Sequence, residues 1–338
     1  MFRRYDKARC YIIAEIGGNF TTFEQAKRLI DEAAVAGVDA VKLQTYRAET
    51  LSSRKAMFDM ENTGVTSQFE LFRKYEISEA LHRQVFEHAS AKGLDWFSTP
   101  SHRTDVEMLE RLGVGAYKIG SDDAYNLPYL KQVASLGKPV LMSTGMSTLD
   151  EVRESVQAIL STGNRRLILL HAITSYPTHP ENANLRAMQT LAREFPGIDV
   201  GYSDHTIGPV ACLAAAAMGA RVLEKHFTWD RNAEGPDHML SADPAEMKAI
   251  VDGVRLVERL LGDGAKKPAP SEATTRRNNR KSIVLERSIR AGESLTPAHL
   301  AVKRPGYGIA PKHLDEMVGR KVRKDLAADD VLTWEDLA

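Results

Sequence analysis

Short apolar segments alternate with longer amphipathic segments along most of this chain. The apolar segments are only six or seven residues long, and eight of them recur. They are YIIAEIG (11–17), AVKLQTY (40–46), DWFSTP (95–100), AYKIGS (116–121), PVLMSTG (139–145), LILLHAI (167–173), DVGYSDH (199–205) and RVLEKHF (221–227). Segments that are apolar through most of such a length are typical of strands buried on both faces of a parallel sheet.

The stretches between these strands carry the signals of helix ends. Residues 21–37 begin with a threonine that can act as N-cap, and they end in glycine. Residues 147–163 offer Ser147 or Thr148 as the cap, followed by acidic residues in the first turn. After the eighth strand, Pro244 stands near the first position of a further helix. The chain therefore alternates strand and helix.

Eight strand–helix units predict an α/β protein with a (β/α)8 TIM barrel. The alternative is a doubly wound open sheet, which normally has a glycine-rich turn after its first strand, and EIGGNF matches that turn poorly. We assign 1–262 to the barrel, 263–280 to a polar, aperiodic linker and 281–338 to a small β-rich domain. Residues 47–67 form a long polar insertion after the second strand, where barrel loops are often functional.

Composition narrows the class of protein. Lys plus Arg and Asp plus Glu both number 45, so the balanced charge argues against nucleic acid binding. No run approaches the roughly 18 apolar residues of a membrane span, and the amino terminus lacks the features of a signal peptide. The two cysteines, Cys10 and Cys212, fit a reducing compartment and exclude a thiolate zinc finger. We therefore expect a cytoplasmic protein.

Barrel enzymes build their active sites at the carboxyl ends of the strands, and that rule selects candidate residues directly. The selected residues are Glu15, Lys42, Gln44, Thr99, Lys118, Ser121, Ser143, Thr144, His171, Tyr176, residues 203–205 and residues 224–226. They comprise lysines, acids, hydroxyl groups and imidazoles, a set suited to catalysis on an anionic substrate.

Lys42 and Lys118 lie inside segments that should be buried. A buried lysine is costly unless it meets an opposite charge, so both indicate a site for phosphate or carboxylate. The structural alternative is an ion pair with Glu15 or Glu224 that only fills the barrel, and a Schiff-base lysine is a further variant. Glu15 could also act as a general base toward water or a substrate hydroxyl.

His205 and His226 end neighbouring strands, and each stands near an acid. Two imidazoles at one edge of a sheet favour a metal site for Mn²⁺, Fe²⁺, Co²⁺ or Zn²⁺ over Mg²⁺, whereas a single buried histidine is more often structural. For His171 and His238 the sequence leaves packing and a role in the site equally open.

The runs AEIGGN, VKLQTY, FSTP, YKIGS, GKPVLMSTGMS, LLHAITSYPT, GYSDHTIG, EKHFT, GPDHMLS and KRPGYGI occur in this order. Together they resemble the sialic acid synthase family over nearly the whole chain. The resemblance implies a TIM barrel followed by a SAF (antifreeze-like) domain. It also implies a transferase that condenses phosphoenolpyruvate with an N-acylated hexosamine such as N-acetylmannosamine, giving a nine-carbon 3-deoxy-2-ulosonic acid and phosphate by C–O cleavage.

The resemblance also implies roles for single residues. The catalytic group is implied to be Glu15, Lys42 and Glu224. Phosphoenolpyruvate is expected to bind to Lys42, Thr99, Lys118, Ser121 and Ser203. The sugar is expected to contact Gln44, Asn62, Tyr176, Asp237 and Arg304. The metal ligands are implied to be His205 and His226, usually for Mn²⁺. Because the family's SAF-domain arginine reaches a neighbouring active site, a domain-swapped homodimer is expected.

Three positions depart from the family pattern, namely Phe20, Asp123 and Thr174, and we expect all three near the sugar. They leave the acceptor open between N-acetylmannosamine, its 6-phosphate and a 2,4-diacetamido-2,4,6-trideoxy hexose, the precursor of legionaminic or pseudaminic acid. Free N-acetylmannosamine is slightly favoured. More distant alternatives are a metal-dependent hydrolase or aldolase on a TIM barrel, and a non-catalytic carbohydrate-binding protein.

Overall fold

The computed structural model describes residues 2, 4–61 and 63–338. The chain divides into two units, Met1–Gly262 and Asp263–Ala338.

The first unit is a closed parallel barrel. Its strands are β1 (Tyr11–Glu15), β2 (Ala40–Thr45), β3 (Met57–Met60), β4 (Gly64–Ser67), β5 (Asp95–Pro100), β6 (Tyr117–Ile119), β7 (Val140–Ser143), β8 (Leu167–Ala172), β9 (Asp199–Asp204) and β10 (Val222–His226). The barrel closes in the order β1-β10-β9-β8-β7-β6-β5-β2, and β3 pairs with β4 as an antiparallel hairpin. Each predicted strand is present, so the prediction of a (β/α)8 barrel is confirmed.

Helices surround the barrel. They are α1 (Phe23–Ala36), α2 (Ala48–Leu51), α3 (Gln68–Tyr75), α4 (Glu79–Ala91), α5 (Arg103–Leu112), α6 (Leu127–Ala134), α7 (Leu149–Leu160), α8 (Ala187–Glu194), α9 (Val210–Ala217) and α10 (Pro244–Leu261). Short 3-10 turns occur at Pro180–Asn182 and His238–Leu240. Thr22 and Thr148 close capping boxes, which satisfy the free amides of the first turn of α1 and α7. None of the helices in the described part of the chain is both long and apolar enough to cross a bilayer.

Alternation along the strands decides which side chains face the barrel axis. A cluster that includes Tyr11, Ile13 and Phe97 fills the amino-terminal half of the interior. The intervening residues, such as Ile12 and Val41, pack outward against the helices in a larger core. Two residues further along these strands, the side chains that face the barrel axis are polar and stand at the carboxyl ends of the strands. The apolar interior therefore forms a floor, and the polar end is left for a site.

The insertion after β2 is ordered rather than irregular. It contains α2 and the hairpin of β3 and β4, which pair from Met57 opposite Ser67 to Met60 opposite Gly64. The hairpin adds a small wall to the carboxyl end of the barrel, because Met57, Phe58 and Met60 line the cleft described below.

The second unit has its own small core. Its elements are α11 (Ala273–Asn279), β11 (Ser282–Leu285), β12 (Leu300–Lys303) and α12 (Leu314–Met317), with 3-10 turns at Pro270–Glu272, Pro297–His299, Pro311–His313 and Trp334–Asp336. Strands β11 and β12 pair antiparallel, and residues such as Ile283, Leu295 and Met317 are fully buried beneath them. The segment 263–280, predicted to be an aperiodic linker, contains α11 and falls within this unit.

Candidate active site

A cleft of about 600 Å³ opens at the carboxyl ends of the barrel strands. Its lining contains most residues that the sequence selected: Lys42, Gln44, Thr99, Lys118, Ser121, Ser143, Thr174, Tyr176, Ser203, His205, Glu224, His226 and Asp237. Glu15 lies directly beneath, paired with Lys42. Asn62 lies outside the described residues, and Arg304 is an exposed residue of the second unit.

Glu15 and Lys42 form a buried ion pair at the base of the cleft. They stand opposite each other on β1 and β2, and both are almost inaccessible to solvent. The Gly17 amide donates to Glu15 Oε1 at 2.6 Å, and Lys42 Nζ donates to Thr99 Oγ1 at 2.9 Å. Burial raises the pKa of Glu15 more than Lys42 lowers it. Burial acts in the opposite direction on Lys42, but Glu15 and Glu224 outweigh it and raise the pKa of this lysine.

The surroundings of Lys118 favour its positive charge less than those of Lys42 do. Its Nζ donates to the Ile119 carbonyl at 3.2 Å and lies 3.6 Å from Glu224 Oε1. Burial lowers the pKa of Lys118, and the charge of Lys42 lowers it further. A buried cation whose charge is only partly compensated attracts an anion, so Lys118 is suited to an anionic ligand.

Glu224 connects the two lysines. Its Oε1 accepts from Ser203 Oγ at 3.0 Å and lies 4.0 Å from Lys42 Nζ. Burial opposes its ionisation, but Lys118 and Lys42 outweigh burial and lower the pKa of Glu224. Glu224 Oε2 and the Ser143 hydroxyl are buried, and neither has a hydrogen-bond partner among the described residues. The cleft thus holds polar groups that a bound ligand could satisfy.

The imidazoles of His205 and His226 meet at the rim with their ring centroids 5.4 Å apart. His205 Nδ1 lies 2.7 Å from the Ile173 carbonyl, so it must be the protonated nitrogen, and Nε2 keeps a lone pair. Buried His226 Nδ1 has no hydrogen-bond partner in the described part of the chain. Burial lowers the pKa of both imidazoles. Neutral imidazoles with a free lone pair are what a transition metal requires, so the pair fits a cation.

Tyr176 and Asp237 flank this pair of histidines. The Tyr176 ring lies 4.2 Å from that of His205, and Asp237 Oδ2 lies 3.4 Å from His226 Nδ1. Burial and the neighbouring Glu15 raise the pKa of Asp237 to about 7. Within residues 2, 4–61 and 63–338, no three His, Cys, Asp or Glu side chains cluster closely enough to hold an ion unaided. A cation at the two histidines would therefore need water or substrate oxygens to complete its coordination.

Two expectations for the departures from the family pattern are wrong. Phe20 is buried in the core between barrel and helices, because the chain turns outward before α1. Asp123 accepts from Asn126 and does not line the cleft; its exposed neighbour Asp122 does. Thr174 does line the cleft, and its buried hydroxyl has no partner among the described atoms. Only Thr174 among the three departures is therefore placed to contact a ligand.

The two other histidines that the sequence left open, His171 and His238, serve packing. His171 faces outward, stacks on Tyr202 at 5.8 Å between ring centroids and binds the Ala183 carbonyl at 2.9 Å. His238 is buried, with Nδ1 2.6 Å from the Thr228 hydroxyl, and does not line the cleft. Both side chains therefore hold loops and helices against the barrel.

Sequence reasoning missed the apolar wall of the cleft. This wall consists of Leu51, Met57, Phe58, Met60, Leu71, Phe72 and Met146. Phe58 of the hairpin packs on Phe72 of α3 with the ring centroids 5.5 Å apart. The only signal in the sequence was the length of the insertion at 47–67, which carries four of these side chains, Leu51, Met57, Phe58 and Met60, without selecting them.

Comparison with known proteins decides the family. Residues 29–266 match the NeuB family, and residues 280–338 match the SAF domain. The chain belongs to the NeuB family. This confirms the resemblance noted in the sequence and the expectation of a synthase-type enzyme.

Individual relatives cover nearly the full length. An uncharacterised protein of Methanocaldococcus jannaschii is 44% identical over 97% of this chain and 94% of its own length. An N,N'-diacetyllegionaminic acid synthase of Legionella pneumophila is 41% identical, with coverages of 97% and 94%. A crystal structure of an N-acetylneuraminic acid (sialic acid) synthetase from Leptospira borgpetersenii superposes with a TM-score of 0.71 at 32% identity, covering 80% of this chain and 90% of that chain.

Proposed function

We propose that this protein condenses phosphoenolpyruvate with the open-chain aldehyde of an N-acylated hexosamine, forming a nine-carbon 3-deoxy-2-ulosonic acid and releasing phosphate. The observation that carries the proposal is the juxtaposition of two buried lysines with two neutral histidines at one end of the barrel. The lysines suit a phosphorylated acid, and the histidines suit a cation that acts on a carbonyl oxygen.

In this proposal the anion lies on Lys42, Lys118 and the hydroxyls of Thr99, Ser121 and Ser203. Lys118 supports this role because burial lowers its pKa and a phosphate would compensate its charge. Ser121 is held in place by accepting from the Gly145 amide at 3.1 Å. Glu224 offsets part of the electrostatic cost of burying Lys118, and a bound phosphate would offset the rest.

A divalent cation held by His205 and His226, for which we propose Mn²⁺, would supply a Lewis acid at the sugar aldehyde. Glu15 is proposed as the base that removes a proton from the water attacking C2. The raised pKa of Glu15 supports that role, because it makes this carboxylate a better proton acceptor than an exposed one. Glu224 holds Ser203 and balances the two lysines.

For the acceptor we propose a 2,4-diacetamido-2,4,6-trideoxy hexose in preference to N-acetylmannosamine. Such a sugar has a methyl group at C6 and a second acetamido methyl, and the apolar wall offers contacts for both. The named relative at 41% identity, a diacetyllegionaminic acid synthase, supports the same choice. N-acetylmannosamine, which the sequence slightly favoured, and its 6-phosphate remain the alternatives.

The test is phosphate release from phosphoenolpyruvate with a panel of three acceptors: the diacetamido-trideoxy sugar, N-acetylmannosamine and its 6-phosphate. We expect the highest kcat/KM for the first. Phe58→Asn should reduce that preference about tenfold, since it replaces an apolar contact by a polar one. Val65→Asn is the matched control, because Val65 belongs to the same hairpin but is exposed and does not line the cleft. Equal effects of the two substitutions would contradict the role of the wall.

The reaction class has a separate test. Phosphoenolpyruvate labelled with oxygen-18 at the bridging position should deliver the label to phosphate, because the proposal breaks the C–O bond. Label retained in the product ketone would overturn the proposed mechanism.

A homodimer also stays part of this proposal, and light scattering tests it. A contribution of Arg304 to the partner's sugar site is proposed as well, and the sugar KM of Arg304→Ala tests that contribution.

A further inference from the structure

Directly behind the two imidazoles lies a buried ion pair with no contact to the cleft. Asp204 of β9 and Lys225 of β10 are register partners, and their solvent exposures are 0% and 1%. Lys225 Nζ lies 2.7 Å from Asp204 Oδ2. Asp204 immediately precedes His205, and Lys225 immediately precedes His226. Since neighbouring residues of a strand face opposite sides, the pair faces the helix layer while the histidines face the cleft.

Further hydrogen bonds tie this pair to the loop after β9. Asp204 Oδ1 accepts from the Thr206 amide at 2.9 Å, and Oδ2 accepts from the Thr206 hydroxyl at 3.2 Å and from Cys212 Sγ at 3.3 Å. Lys225 Nζ also donates to the carbonyls of Thr206 and Gly208. One carboxylate and one ammonium group thus fix both strand ends and the loop between β9 and α9.

Stability alone is a weak reason for such a pair. The surrounding layer is an apolar core, and the desolvation cost of a buried ion pair there often equals or exceeds its attraction, so apolar replacements can be neutral or stabilising. What the pair adds is directional: beyond the backbone ladder between β9 and β10, its hydrogen bonds join the carboxyl ends of both strands and the loop after β9. The two histidines lie at these strand ends.

The two histidines depend on these contacts to different degrees. His205 is held by its own hydrogen bond to the Ile173 carbonyl, and its backbone carbonyl accepts from the Thr178 amide at 2.8 Å. The backbone carbonyl of His226 likewise accepts from the Ala242 amide at 2.8 Å, but its ring Nδ1 has no hydrogen bond within the described residues, and Asp237 Oδ2 lies 3.4 Å away. The orientation of His226 therefore comes from its strand, which Lys225 connects to β9.

We propose that Asp204 and Lys225 are positioning residues that set the separation of His205 and His226 for cation binding. The inference rests on the proposed function, since it takes these histidines as the ligands. Outer residues that orient metal ligands typically change metal affinity by 10- to 100-fold when they are replaced. The proposal therefore predicts a loss of affinity that is separate from any loss of stability.

The experiment measures Mn²⁺ binding to the full-length, metal-free protein by calorimetry, with affinities corrected for the folded fraction from circular dichroism. The double variant Asp204→Asn, Lys225→Met keeps the acceptor for the Thr206 amide but removes both charges. We expect its Mn²⁺ Kd to rise at least tenfold while its Tm stays within a few degrees of the wild type. The control is Asp39→Asn, Arg255→Met at the opposite end of the barrel, which removes the Asp39–Arg255 ion pair together with the charge that faces Arg9 and should leave the Kd unchanged.

Should the double variant not fold, Asp204→Glu keeps the charge and lengthens the side chain, and the same rise in Kd is expected. Wild-type Mn²⁺ affinity in a folded variant would overturn the positioning role and leave the proposed function intact. Wild-type protein that binds no Mn²⁺, or binds it equally after His226→Ala, would overturn the cation site itself and this inference with it.

Discussion

Replacing Lys118 by methionine distinguishes a role in binding phosphoenolpyruvate from a role in the stability of the protein. Lys118 is 3% exposed, and its pKa is lowered by burial, so its positive charge is held at a cost in the ligand-free protein. Methionine has a similar length and removes the charge. The variant loses the attraction to Glu224 at 3.6 Å but also loses the desolvation cost. Glu224 keeps Lys42 at 4.0 Å, so its charge is not left unpaired. Because the lost attraction and the lost desolvation cost then oppose each other, we expect the free energy of unfolding to change by about 1 kcal/mol or less.

The effect on phosphoenolpyruvate should be much larger. Removing one partner of a buried charge pair costs about 2–5 kcal/mol, and every 1.4 kcal/mol is a factor of ten, so we expect the Kd to rise roughly 30- to 4,000-fold. Titration calorimetry with phosphoenolpyruvate alone measures this Kd, and thermal melting measures stability. Lys138→Met is the matched control, because Lys138 pairs with Glu110 away from the cleft. A Kd within threefold of the wild type would refute the assignment of Lys118 to the anion site.

Three further substitutions test other parts of the site and fold. His226→Ala should abolish Mn²⁺ binding in calorimetry, and an unchanged metal content would contradict its role as ligand. Gly145→Ala would bring a Cβ within 2.3 Å of the Thr174 hydroxyl and 2.7 Å of the Ser121 hydroxyl, so we expect kcat/KM to fall at least tenfold, and wild-type kinetics would contradict this crowding. Burial raises the pKa of Asp105 from 3.8 to about 6, so its stabilising contribution is complete below pH 4 and is lost as the pH rises through 6. The free energy of unfolding of Asp105→Asn should therefore exceed that of the wild type by up to about 3 kcal/mol above pH 7 and by almost nothing at pH 4, as measured by urea unfolding.

Much of the candidate site could be predicted without coordinates, because it depends on short-range order. Alternation along a strand and the common direction of parallel strands place His205, His226, Lys42 and Lys118 at one end of the barrel once eight strands are recognised. These rules need only the identity of neighbouring residues. The glycine and threonine signals at the ends of α1 and α7 are local for the same reason.

Features that depend on contacts between distant segments were decided by the tertiary structure. The hairpin carrying Phe58 forms the apolar wall only because it folds back onto Phe72, a packing that no local pattern specifies. Phe20 was expected near the sugar, but the path of the chain into α1 buries it in the outer core.

The ion pair behind the two histidines also depends on contacts between distant segments. Asp204 and Lys225 are 21 residues apart and meet only because β9 and β10 lie side by side in register. The sequence by itself therefore determined the fold, the end of the barrel that carries the site and most of the chemical groups there. The tertiary structure decided which acids and lysines pair, which histidines retain a lone pair and which apolar side chains line the cleft, because burial and distance arise only when separate strands and loops pack together.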